Sequence, residues 1–162
     1  MKKYKWIIII LNLVILFGVF NYSIYQQENK FQNAKLLYLE LAPVDPRSLM
    51  QGDYMTLSYA ISNGFNSEEN DPEGYCVVKV NEDGIAERVR LQNELTPLAD
   101  EEIIIAYSFN GSSGINIGAE SYFFQEGTGS LYENAKYGGV KVDDNGAVML
   151  IGLYNENLKK LE

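Results

Sequence analysis

Gly52-Asp53-Tyr54-Met55-Thr56-Leu57-Ser58-Tyr59 packs a turn and a strand into eight residues. From the glycine onward, Met55, Leu57, Tyr59 and Ile61 fall on one side of a period-two alternation, and Tyr54, Thr56, Ser58 and Ala60 on the other. The first set is more apolar, which predicts a half-buried strand with that face on the core. Just upstream, Pro43-Val44-Asp45-Pro46-Arg47-Ser48 prepares the turn. Asp45 as a cap and Pro46 at the first helical position predict one helical turn over Pro46 to Gln51, ended by Gly52 in a left-handed conformation.

Working outward, Leu37, Leu39 and Leu41 alternate with Tyr38 and Glu40, which predicts a strand over Leu36 to Ala42. Asn63 to Gly74 is rich in Asn, Ser, Glu and Gly and reads as a surface loop. Tyr75 to Asn81 and Ile85 to Leu91 flank Asp83-Gly84, a strong hairpin signal. Ile103 to Phe109 is a further strand ending at Asn110-Gly111. Gly114 to Gln125 is a strand region with a kink or bulge at Gly118, and Glu126 to Tyr137 a loop with a short helix. Val140 to Val142 and Ala147 to Tyr154 close on a hairpin turn at Asp143-Asp144-Asn145-Gly146. About eight strands with little helix predict a mainly β ectodomain, an antiparallel barrel or sandwich.

Before all of this, Lys2, Lys3 and Lys5 precede an almost unbroken apolar run from Trp6 to Phe20, followed by Tyr22 and Tyr25. About 20 residues suffice to cross a bilayer core, and Trp and Tyr sit at its interfaces. The lysines predict a cytoplasmic start with everything after Tyr25 outside the membrane. A cleaved secretory signal is the competing reading, but between Phe20 and Gln27 only Ser23 is small enough for a cleavage site. The expected organisation is a basic start at 1–5, a transmembrane anchor at 6–25, a stalk at 26–35, the β ectodomain at 36–155 and a polar tail at 156–162.

Composition narrows the chemistry. Setting aside Lys2, Lys3 and Lys5 leaves 10 basic against 22 acidic residues, a formal charge of about −12 for the ectodomain. Such a surface repels nucleic acid. There is no histidine, which removes the commonest general base and zinc ligand together. Cys76 is a single cysteine, so no internal disulfide is expected. No cofactor signature and no metal-ligand spacing stand out.

The eight-residue string satisfies the signature of the GDYXXLXY family, and the chain resembles that family over most of the ectodomain. The resemblance includes Pro43, Asp45-Pro46-Arg47, the strand from Tyr75 to Val80, and Glu120-Ser121-Tyr122-Phe123-Phe124 leading to Glu126-Gly127. It implies an N-terminal membrane span and, because members are often encoded beside or fused to polytopic membrane proteins, a membrane partner of that kind. It implies no reaction. A weaker similarity, to signal peptidases and SOS-repressor autopeptidases, rests on Ser48 before Gly52-Asp53 and on the Tyr75 to Leu91 hairpin. There a desolvated lysine serves as base. Here Arg88 and Arg90 occupy the corresponding strand and Lys79 is the nearest substitute, so the similarity implies either a peptidase with Ser48 and Lys79 or a catalytically silent relative.

Two groups of residues are candidates for a site. Asp45, Arg47, Gly52, Asp53, Tyr54, Leu57 and Tyr59 form either a turn fixed by charge pairing or a recognition surface. Glu120, Tyr122 and Glu126, with Glu133, form a second polar and aromatic group, read either as solvated faces or as paired carboxylates for glycoside chemistry. Asp143-Asp144-Asn145-Gly146 resembles the start of a calcium loop but lacks the glutamate that closes one. The 12 tyrosines suit core and interface packing, or sugar stacking if a row of them is exposed. The favoured expectation is a non-enzymatic interaction module, with a serine-lysine peptidase and a cell-wall or glycan binder as alternatives.

Overall fold

A computed structural model describes residues 2–32, 34–42, 54–66, 70–109 and 114–162. The chain divides into two units, residues 1–33 and 34–162. The first contains one helix, α1 (Lys2–Gln32). Its segment Lys5–Gln26 is long and apolar enough to cross a membrane, with a mean hydropathy of 2.4 and none of its side chains buried. The segment expected to be a stalk, 26–35, is helical as far as Gln32 and continuous with the apolar segment.

The second unit is mainly β. Nine strands are described: β1 (Lys35–Glu40), β2 (Tyr54–Thr56), β3 (Glu73–Val80), β4 (Ile85–Gln92), β5 (Glu102–Phe109), β6 (Ile115–Asn116), β7 (Ser121–Phe123), β8 (Tyr137–Val142) and β9 (Val148–Tyr154). Seven form one sheet in the order β6-β5-β3-β4-β1-β8-β9, and β2 and β7 form a separate two-stranded ribbon. Neighbours in the large sheet are antiparallel except β1 and β4, which run parallel. Asn81 shapes the β3–β4 turn, its carboxamide oxygen accepting the N–H groups of Asp83 and Ile85.

Of the barrel or sandwich expected from the strand pattern, the described strands do not form a closed barrel. No ladder joins the described outer strands β6 and β9. Instead the β8–β9 turn reaches the open edge of β5, where the Ala106 N–H donates to the Gly146 carbonyl at 2.8 Å. A side chain on Gly146 would come within 2.7 Å of that same nitrogen, and its φ of +82° is itself a glycine conformation. Asp143 fixes the turn from inside: its buried carboxylate accepts the N–H groups of Asn145 and Ala147 at 2.9 and 2.8 Å. Its oxygen is committed to the backbone, as a hairpin turn requires.

The core lies on one face of the large sheet and is covered by the ribbon and its flanks. Leu37, Leu39, Cys76, Val78, Ile105, Val140 and Leu153 come from the sheet; Met55, Leu57, Tyr59, Ile61, Ile117 and Ala119 come from β2, β7 and the adjoining segments. Burying each large aliphatic side chain here contributes about 1.5–3 kcal/mol. Cys76 is fully enclosed, and burial pushes its thiol up to about 12, so it packs as a small hydrophobe.

Four local expectations change. The strand expected through Ile61 is regular only over Tyr54–Thr56 and gives way, after an isolated bridge between Tyr59 and Leu41, to a 3-10 turn at Ala60–Ser62. The region after Gly114 divides into β6 and β7, in different sheets, with Gly118 at φ +82° between them. The loop expected over Asn63 to Gly74 ends earlier, because Glu73 and Gly74 lie in β3; of its described residues, Phe65 stacks on Phe109 at 4.3 Å and meets Tyr107 edge-on. Strand β8 begins at Tyr137, the last residue of the expected loop, and includes Gly138 and Gly139, which precede the strand expected from Val140.

Candidate functional site

Parts of the two candidate groups, Tyr54 and Leu57 of the first and Glu120 and Tyr122 of the second, meet in one place although some sixty residues separate them in sequence. β2 pairs antiparallel with β7 so that Tyr54 faces Phe123, Met55 faces Tyr122 and Thr56 faces Ser121. The ladder continues through the Leu57 N–H, which donates to the Glu120 carbonyl at 2.7 Å. On the other side the Ala42 N–H donates to the Ser58 carbonyl at 2.8 Å, tying the end of β1 to the motif strand.

Alternation then sorts the residues by role. Met55, Leu57 and Tyr59 are buried. The Tyr59 hydroxyl donates to the Ala119 carbonyl at 2.7 Å, and burial, followed by the nearby charge of Glu120, raises its pKa so that it remains a donor. Leu57 and Tyr59 of the first candidate group are thus core. Tyr122 lies under the ribbon, edge-on to Tyr132 at 5.1 Å. Desolvation, then its hydrogen bond to Tyr132, pushes its hydroxyl up to about 12.

The outward face carries Tyr54, Thr56, Ser121 and Phe123. Tyr54 and Phe123 are cross-strand neighbours with ring centroids 5.8 Å apart, and Phe123 is 73% exposed. A phenylalanine this exposed, beside a second aromatic and on a paired strand, is a feature of contact surfaces. Phe123 was not among the sequence candidates, because its partner Tyr54 is set by a pairing that no local pattern announces.

The remaining candidates do not converge. Glu120 spends its carboxylate on the Ile117 N–H, while Glu126 and Glu133 are exposed on the turns that follow β7. Asp45, Arg47, Ser48, Gly52 and Asp53 lie outside the described residues, as does the helical turn expected over Pro46 to Gln51. Lys79 is on β3 with its side chain 61% exposed and its ammonium 3.8 Å from a Glu101 carboxylate oxygen. That is a hydrated, paired cation, unlike the dehydrated amine a lysine base requires. Arg88 donates to the Ile61 carbonyl at 2.8 Å, fastening β4 to the turn that follows the motif. Arg90 grips Glu102 through two hydrogen bonds of 2.6 and 2.9 Å. Lys35, Lys79, Glu82, Glu101 and Glu102 line a cleft of about 690 Å³ whose charges are of both signs. Among the described residues, no three His, Cys, Asp or Glu are grouped to hold a metal ion.

No curated protein and no solved structure matches the chain. A family model described as GDYXXLXY protein does, over residues 16–153, a match that takes in the end of α1, the motif strand and its partner β7. The chain belongs to the GDYXXLXY family.

Proposed function

We propose that this protein is a single-pass, membrane-anchored extracytoplasmic β domain that acts without catalysis, as an interaction module for a polytopic membrane protein. The observation that carries the reading is the exposed Tyr54–Phe123 pair on the outer face of the β2–β7 ribbon. The family motif builds this ribbon by burying Met55, Leu57 and Tyr59, which leaves Tyr54 outside. Large aromatic side chains carry a disproportionate share of binding energy at protein contacts. The anchor would be Lys5–Gln26, with the lysine-rich end in the cytoplasm and the acidic domain outside.

The test is cross-linking of the full-length protein in its native membrane, followed by mass spectrometry of what is recovered with it. Recovery of one polytopic protein, lost in Phe123→Ala and Tyr54→Ala variants that still fold, supports the reading. Undiminished recovery from both variants removes the ribbon from the interface. The same two rings could instead stack on a sugar. Binding of cell-wall fragments that depends on Phe123, with no protein recovered, would favour that second reading.

A further inference from the structure

We propose that α1 pairs with the α1 of a second copy of this chain through a stripe formed by Asn12, Leu16, Val19 and Ser23. The inference rests on the membrane-anchored reading above. Within the Lys5–Gln26 segment the two asparagines, Asn12 and Asn21, differ. Asn21 donates its side-chain amide to the Phe17 carbonyl at 2.8 Å, one turn back along its own helix. Asn12 has no hydrogen bond for its carboxamide among the described residues. It lies seven residues into the Lys5–Gln26 segment, roughly 10 Å deep at 1.5 Å per residue, inside a hydrocarbon core of about 30 Å. An amide there with neither water nor partner is costly.

The stripe follows from helix geometry. Residues 12, 16, 19 and 23 recur at intervals of four, three and four, so they share one face, while Asn21 points the opposite way. Lys5 and Gln26 fall on the same line at the two ends of the segment, where their polar heads reach the interface. The span has no side chain buried, so the face is open to a neighbour.

A second copy is the occupant that satisfies Asn12 by symmetry. A carboxamide both donates and accepts, so two of them are complementary to each other. Copies of a single-pass chain insert in the same direction, which brings Asn12 of each to the same depth across a two-fold axis. An unrelated helix would need its own polar group at that depth.

The test is disulfide cross-linking, in the native membrane, of variants of the full-length chain that each carry one cysteine added to Cys76. Buried Cys76 contributes little background. Leu16→Cys and Val19→Cys are expected to form homodimers, and Val14→Cys and Phe17→Cys, on the far face, are not. Adding Asn12→Leu should reduce the dimer by roughly three- to tenfold, as expected for one interhelical hydrogen bond in a bilayer. Resistance to alkaline extraction is measured on the same membranes. Membrane-embedded chains with no dimer, or with equal dimer on both faces, overturn the pairing and leave the anchor intact. A cross-link from residue 16 or 19 to a different protein overturns the second-copy assignment. Release of the chain by alkali overturns the anchor itself and the pairing with it.

Discussion

Tyr59, the last residue of the family signature, lies against Gly138 so closely that a Cβ on the glycine would meet the tyrosine Cε1 at 2.9 Å. The next residue, Gly139, does the same on the opposite face of the sheet, where it accommodates the Tyr154 ring that stands edge-on to Tyr38 at 5.0 Å. Successive residues of a strand point to opposite faces, so the Gly138-Gly139 pair lets one position of β8 receive a tyrosine on each side. The signature therefore has a counterpart some eighty residues away. A glycine on β8 makes room for its final aromatic ring.

Gly138→Ala tests this relationship. The ring is fully buried and cannot swing aside, so the methyl group must be accommodated by backbone or core shifts costing about 1–3 kcal/mol. Urea unfolding of the detergent-solubilised chain should show a lower midpoint with an unchanged slope. An unchanged midpoint would mean that Tyr59 has another place to go.

Tyr59→Phe isolates the hydroxyl. The ring contacts with Gly138 remain, but the Ala119 carbonyl loses a buried donor at 2.7 Å, which costs about 1–3 kcal/mol. Because Ala119 precedes β7, the loosening should appear first in the ribbon. Faster amide hydrogen exchange at Leu57, whose N–H bonds the Glu120 carbonyl, is the expected local sign.

How much of this was legible depends on how local each signal is. The alternation of Met55, Leu57, Tyr59 and Ile61 was readable because a period of two is written in adjacent residues, and all four are buried. The Asp83-Gly84 and Asn145-Gly146 turns were readable for the same reason. The β2–β7 pairing was not, because Tyr54 and Phe123 carry no mark of each other. The strand expected from Val140 leaves out Gly138 and Gly139, because glycine is a poor strand residue on average. Their value lies in the two rings they admit, which only the folded sheet reveals. The open barrel was also hidden, since the same strands and turns serve whether or not the outer strands pair.

Gly146→Ala tests the contact that stands in for barrel closure. Alanine is strained at φ +82°, and its Cβ would intrude on the Ala106 nitrogen. The expected loss is about 1–3 kcal/mol, together with faster exchange of the Ala106 amide, which bonds the Gly146 carbonyl. Loss of stability without any change at Ala106 would assign the effect to the turn alone.

The Arg90–Glu102 pair predicts how the domain responds to acid. The Arg90 guanidinium, and then the Ala99 N–H, hold the Glu102 carboxyl down at about 2, below its ordinary value of 4.5. A carboxylate depressed in the folded state binds its proton more readily when unfolded. Its stabilising contribution is therefore present above pH 4.5 and lost as pH falls from 4.5 toward 2. Glu102→Gln removes this titration, so the variant should be less stable than the parent at neutral pH and the difference should shrink toward pH 2. Melting temperatures of both proteins across that range provide the check. A gap that stays constant with pH would show that Glu102 contributes through packing or neutral hydrogen bonds, with no part played by its charge.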